Sequence, residues 1–336
     1  MKPLVVGLGG TNLNKREALF LYEEQPLGVI LFGRNVEDPE QLAGLIHAIR
    51  DAQGGDGPSL WVDQEGGRVQ RLKPPHWDQL PAAARIAEVW ADRPDDAEYA
   101  AFMLGRIIAE QARTVGFDVV CAPVLDLRIP GADQVIGDRA FGAAPAQVAT
   151  LAASMAEGLK QGGVLPVSKH WPGHGRSDVD THHDLPTVTA TRAELDATDF
   201  AAFRAAADCA PIAMTGHLIF SAIDPEHTAT LSSKVIDSVI RSHCGFDGFL
   251  VSDDLDMKAL SGTSGELARA SLAAGCDAVL QCSGDAATMA DVAAALDPVD
   301  ADTEARWRAV LATRTAADPA DISQLLAELT DALEPA

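Results

Sequence analysis

The chain is short of cysteine, tyrosine and positive charge, and each shortage closes off a class of protein. Its five cysteines (Cys121, Cys209, Cys244, Cys276, Cys282) are scattered, odd in number and without the C-x-x-C spacing of a zinc site. A disulfide framework is therefore not expected, and a reducing compartment is. Cys121 and Cys276 sit in or against apolar runs, where a thiol acts as a small hydrophobe. Lysine and arginine number 26 against 49 acidic residues, a formal charge of −23. Long-range forces thus repel nucleic acid and anionic membranes, with no Lys/Arg tract to offset them. No stretch approaches the roughly 18 apolar residues of a bilayer span. The opening MKPLVVGLGG is too short in its apolar part for a secretory signal, so a cytoplasmic location is expected. No linker, fixed-period repeat or low-complexity tract divides residues 1–336, which read as one domain. Gly7-Leu8-Gly9-Gly10 lacks the full G-x-G-x-x-G of a dinucleotide loop, and no cofactor is expected. The partner left by these exclusions is a small molecule.

Against those absences stands an apolar fraction of 47%, enough for a large core, arranged in a repeating order. Apolar, β-branched runs occur at Leu4–Gly7, Gly28–Phe32, Ser59–Val62, Phe117–Pro123, Val164–Ser168, Pro211–Thr215, Phe249–Ser252 and Ala278–Gln281. Ala/Leu-rich amphipathic stretches separate them, among them Asp38–Ala52, Asp96–Thr114, Pro145–Gln161, Ala190–Ala207 and Ser232–Cys244. Thr191-Arg192-Ala193-Glu194 reads as a capping box at one helix start. Strands apolar throughout are buried on both faces, as in parallel sheets. Eight of them alternating with helices predict a single (β/α)8 TIM-type barrel, with residues 301–336 as closing helices broken at Asp318-Pro319.

Polar clusters follow directly after the strand runs: Arg34-Asn35, Asp63 to Arg68, Asp126 with Asp138-Arg139, Lys169-His170, Gly216-His217 and Asp253-Asp254. A barrel brings such strand ends to one rim, so these clusters predict one polar pocket. The densest stretch, Ser168 to Pro186, reads SKHWPGHGRSDVDTHHDLP and carries His170, His174, His182 and His183 with Lys169, Asp178, Asp180 and Asp184. Its glycines and prolines predict a loop. Packing alone does not call for so many titratable groups, although a solvated polar loop is the plain alternative.

Asp253, set at the end of a strand, has the rigidity of a nucleophile, a general base or a metal ligand; a structural ion pair is the competing role. Asp180, two residues before His182, can hold one ring tautomer and leave the other nitrogen to move a proton near neutral pH. Arg71, Arg139, Lys169 and Asp63 suit a hydroxyl-rich or anionic ligand. His170, His174, His182, His217, Asp180 and Asp253 include metal-ligand types, but no H-x-H or H-E-x-x-H is present and Lys169 opposes a cation. No metal is expected.

Seven runs together resemble the bacterial β-N-acetylglucosaminidases of glycoside hydrolase family 3. They are GVILFGRN (28–35), VDQEGGRVQRL (62–72), FDVVCAPVLDL (117–127), IGDRAFG (136–142), the 168–186 stretch, MTGH (214–217) and GFLVSDDLDM (248–257). The resemblance implies a retaining, metal-free hydrolase in which Asp253 is the nucleophile, His182 the proton donor and acceptor, and Asp180 the residue that polarises it. It assigns Asp63, Arg71, Arg139, Lys169 and His170 to sugar binding, and leaves His174, His183 and Asp178 to fold the loop. It also implies release of GlcNAc from 1,6-anhydro muropeptides in cytoplasmic cell-wall recycling. A related β-glucosidase or phosphorylase, or a non-catalytic sugar-binding barrel, is the alternative. Two positions depart from the pattern: Asp256 stands where small or polar residues are common, and Trp171 where phenylalanine is. With two tyrosines in the chain, any stacking on the sugar falls to Trp or Phe.

Overall fold

The computed structural model describes residues 1–55, 57–177, 185–257, 260–318 and 320–334. Among them, eight parallel strands close into a barrel in chain order. These are β1 (Lys2–Gly7), β2 (Pro26–Leu31), β3 (Ser59–Val62), β4 (Val119–Val120), β5 (Leu165–Trp171), β6 (Ile212–Thr215), β7 (Phe249–Asp254) and β8 (Ala278–Gln281). The last pairs with the first, Leu4 opposite Val279. This is the (β/α)8 barrel that the alternation of apolar runs and helices predicts. No described helix is long and apolar enough to cross a membrane.

Several elements differ from the expected ranges, each in a definite way. β4 is only two residues long, because Ala122 turns back on Val120 and Pro123 has no N–H to give a ladder. β5 runs on past Ser168 through Trp171, so Lys169 and His170 lie on a strand and not in a loop. The Ala190–Ala207 stretch is two helices, Arg192–Ala197 and Asp199–Ala205, broken at Thr198, with the Thr191/Glu194 capping box in place. Ser232–Cys244 starts as one α-helical turn, Ser233–Val235, and continues as a π-helix, Ile236–Arg241.

The barrel interior is filled by Val5, Ile30, Trp61, Val119, Val167, Ile212, Phe249 and Val251, all essentially inaccessible. Its floor is closed from below by the helix Ala301–Ala312. Trp307 on that helix stacks on Trp61 at 6.3 Å and tilts against Phe249 at 5.1 Å. Two buried aspartates pin the floor. Asp118 accepts the Leu60 N–H and pairs with Arg50 and Arg314; Asp277 accepts the Leu250 N–H and pairs with Arg241 and Arg306. The C-terminal segment is thus tied into the barrel. Trp307→Ala is expected to destabilise the protein by about 3–5 kcal/mol, because it empties a packed aromatic site. Denaturant unfolding checks this; a loss below about 1 kcal/mol would mean that the floor is not packed by this residue.

Outside the strands, the helices Pro94–Val115 and Pro145–Gln161 pack backbone to backbone. A Cβ on Gly105 would lie 2.1 Å from the Met155 carbonyl oxygen, and one on Gly158 2.1 Å from that of Phe102. Gly158→Ala is therefore expected to force these helices apart and cost about 1–3 kcal/mol, read as a fall in thermal midpoint.

Candidate active site

All the strands run in one direction, so their C-terminal ends share one rim, and there a cavity of about 440 Å³ opens. That volume is ordinary for a small-molecule site. Asp63 emerges from β3 into a short hairpin, Gln64–Gly66 paired with Val69–Gln70. Gln64 fixes the hairpin: its Oε1 accepts the Arg71 and Leu72 N–H groups at 2.8 and 3.1 Å, and its amide donates to the Leu72 carbonyl. The turn needs Gly66, at φ 94°, since a Cβ there would meet the Pro81 carbonyl at 2.4 Å. Arg71 is thereby brought beside the cavity.

The cations and carboxylates then interlock. Lys169 Nζ donates to Asp63 Oδ1 at 2.9 Å and lies 2.7 Å from Glu65 Oε1. Arg139 forks onto both oxygens of Glu65 at 2.8 Å, and Arg71 reaches Asp63 Oδ2 at 3.3 Å. Burial would raise both carboxyls, but Lys169 and Arg71 at Asp63, and Arg139 and Lys169 at Glu65, overcome it and hold them below the carboxylate range. The same pairing offsets burial at Lys169 and Arg139 and pushes both above their ordinary values. All four groups stay charged at neutral pH.

His170 is oriented from behind. Fully buried Asp126 accepts its ring Nδ1–H at 2.7 Å and the backbone N–H groups of His170 and His174 at 3.2 and 2.6 Å. His170 Nε2 faces Arg139 at 3.4 Å. The His174 ring stacks edge-on against His170 at 5.5 Å; burial, then His170, depress its pKa to about 4.

Asp253 lies on β7 itself, lining the cavity. Its N–H donates to Thr215 Oγ1, and its Oδ1 accepts the Asp254 N–H at 2.8 Å. Burial opposes its ionisation, yet His170, His217 and the Asp254 amide together hold it below the usual range. His217 is fixed on both sides: Nε2 donates to the Asp254 carbonyl at 2.9 Å and Nδ1 meets Thr230 Oγ1 at 2.8 Å. Both ring nitrogens are thus occupied by protein partners.

The structure therefore gathers Asp63, Arg71, Arg139, Lys169, His170 and Asp253 around one cavity, as their strand-end positions predict. Asp180 and His182 lie outside the described residues, as do Asp178, His183 and Asp184. Glu65 and Asp126 were legible only as polar rim residues; Glu65 stands at i+2 from Asp63, the spacing that returns to the same face of an extended chain. Phe32 had no distinguishing mark. Among the described residues it is the aromatic that lines the cavity, with the Arg34 and Arg71 guanidiniums 4.8 and 5.6 Å from its ring centre.

Fold and rim together define a TIM-barrel enzyme with a charged, partly enclosed pocket at the strand C-termini. Residues 4–311 match the glycosyl hydrolase family 3 N-terminal domain. A β-hexosaminidase of Alkalilimnicola ehrlichii is 42% identical over 288 residues, 83% of this chain and 80% of the relative. One of Bordetella avium is 38% identical over 283 residues, with the same shares. The crystal structure of native NagZ from Neisseria gonorrhoeae superposes with a TM-score of 0.87 at 32% identity, covering 99% of this chain and 98% of that one. The same protein solved with N-trifluoroacetyl-D-glucosamine gives 0.86 at 32% identity, covering 99% and 97%. The chain belongs to glycosyl hydrolase family 3, and it is a glycosidase.

Proposed function

We propose that the protein is a retaining exo-β-N-acetylglucosaminidase. In this reading it removes the terminal non-reducing GlcNAc of anhydromuropeptides during cytoplasmic cell-wall recycling, and it acts as a single barrel domain. The observation that carries the reading is the Asp253 carboxylate, half-buried at the end of β7 and facing the same cavity as the Lys169, Arg139, Asp63 and Glu65 cluster, with His170 and His217 favouring its charged form. The cluster offers directional donors and acceptors for sugar hydroxyls, from Asp63, Arg71, Arg139, Lys169 and His170. The relatives named β-hexosaminidase, and the neighbour solved with an N-acylated glucosamine, support a 2-acylamino sugar in that place.

Asp253 attacks the anomeric carbon while the bond to the leaving oxygen breaks, and His182 gives that oxygen its proton. Water then attacks the same carbon, His182 takes the water's proton, and the ester bond to Asp253 breaks. Two inversions give net retention. Histidine in place of a second carboxylate avoids like-charge coupling with Asp253, and Asp180 raises the ring's basicity.

His182→Ala is expected to cost roughly 10²–10⁴-fold on substrates with poor leaving groups, and much less on aryl glycosides that depart without a proton. Equal losses across a leaving-group series would count against the acid role. Rates on aryl GlcNAc are expected to exceed those on aryl glucoside, with no gain from phosphate and no loss in EDTA. A preference for glucoside or a requirement for phosphate would replace this reading with a glucosidase or a phosphorylase.

A further inference from the structure

Next to Asp253, β7 carries a second carboxylate, Asp254, whose surroundings are of another kind. Its Oδ1 accepts the backbone N–H groups of Asp256 and Cys282 at 3.1 and 3.0 Å. Among the described residues its Oδ2 has no hydrogen-bond partner, and the side chain lines the cavity beside Asp253. No described cation pairs with it. Lys169, Arg71 and Arg139 are taken up by Asp63 and Glu65. Arg34 is within electrostatic reach but bonds the Leu8 and Cys282 carbonyls.

The other described groups that face Asp254 make a negative charge there costly. Asp253 precedes it on β7. Asp256 follows on the next turn, held by Gln281 Nε2 at 2.5 Å and the Ser283 N–H at 3.1 Å. From β8 comes the Cys282 thiol, which burial, then Asp254, Asp63 and Asp253, push well up, so it is neutral. Burial first, then Asp256 and Asp253, raise the Asp254 carboxyl to about 7 against the pull of its two backbone N–H bonds. Asp256 is the position at which the strand's motif departs from the family pattern, and here it acts on its neighbour.

We propose that Asp254 is a substrate-binding residue that works as a neutral carboxylic acid, its Oδ2–H donating a hydrogen bond to a ring-substituent oxygen of the sugar beside Asp253. The proposal rests on the sugar-binding reading of the cavity. A proton on Asp254 leaves Asp253 as the one anion on this strand end, so the nucleophile is not coupled to a like charge. The donor is present below the carboxyl's pKa and is lost as pH rises through it. Sugar affinity should therefore fall on the alkaline side, with Asp254 setting the limb.

Calorimetric titration of GlcNAc from about pH 5.5 to about pH 8.5, on wild type, Asp254→Asn and Asp256→Asn, tests this. Wild type is expected to lose about tenfold in affinity across that range, with a midpoint near about 7. The amide introduced by Asp254→Asn can donate but not titrate. That variant should bind about threefold more weakly at the acid end and show no alkaline fall. Asp256→Asn removes a negative neighbour and should move the midpoint to lower pH. Thermal melts add a ligand-free readout: Asp254→Asn should gain stability over wild type as pH rises from about 5 to about 7 and keep that gain above it, because it lacks the poorly solvated charge. A pH-independent wild-type affinity, the same alkaline fall in Asp254→Asn, or a melting difference constant with pH would each overturn the proposal. Should wild type bind no GlcNAc at any pH, the sugar reading fails and the proposal with it; flat but real binding sinks the proposal alone.

Discussion

Asp253→Asn is expected to lower kcat/KM on an aryl β-GlcNAc substrate by roughly 10⁴-fold or more while the fold and GlcNAc binding persist. The amide is nearly isosteric and can still accept the Asp254 N–H, so the strand end keeps its shape. On the proposed mechanism, what disappears is the anionic oxygen that forms the bond to the anomeric carbon. No other described carboxylate on the rim can substitute. Asp63 and Glu65 are tied to Lys169, Arg71 and Arg139, Asp126 lies buried behind His170, and burial with Asp256 and Asp253 raises the Asp254 carboxyl to about 7. Activity within about tenfold of wild type, measured by steady-state kinetics, would remove Asp253 from the nucleophile role.

Lys169→Met is expected to cost about 3–5 kcal/mol of stability at neutral pH and to raise KM sharply. Lys169 is 3% exposed and, among the described residues, is the one cation that bridges Asp63 and Glu65. Methionine keeps much of the side-chain volume but leaves buried Glu65 and half-buried Asp63 with one arginine each. The sign with pH follows from their shifts. Both carboxyls are held below their ordinary range in the folded protein. The stability they contribute is present above the unfolded pKa, near about 4, and is lost as pH falls through the folded values. In the variant these carboxyls are raised and take up protons earlier. The gap to wild type should therefore narrow on acidification towards about pH 5, as read by denaturant unfolding at the two pH values. A gap that is small at neutral pH would show that the arginines alone hold the cluster.

The strand ends were legible because a parallel barrel writes each buried strand as a continuous apolar run, so the first polar residue after it falls at the rim. That rule places Asp63 and Asp253 correctly. It places Lys169 and His170 there too, but the glycines and prolines after them make both look like loop residues until Asp63, Glu65 and Asp126 are seen to neutralise them from other strands. Pairings across strands leave no mark in local sequence. The helix Lys15–Glu24 was missed for a related reason: it buries only Glu17 and Leu21, too narrow a stripe for a periodic pattern, and is started by the Asn14/Glu17 capping box. The pairing of Asp256 with Asp254 is visible in sequence as SDDLDM, but its meaning is not. It depends on Cys282 and Gln281 arriving from β8 and on the lack of a described cation at Asp254.

The central claim is a covalent bond between the sugar and Asp253. Mass spectrometry after incubation with a 5-fluoro 2-acetamido-2-deoxy glycosyl donor tests it most directly, since the fluorine slows hydrolysis of the glycosyl-enzyme more than its formation. The account predicts a single adduct with the mass of the fluorosugar on the peptide that carries Asp253, and no adduct on Asp253→Asn. An adduct on another carboxylate, or turnover of the donor with no adduct at any time, would contradict it.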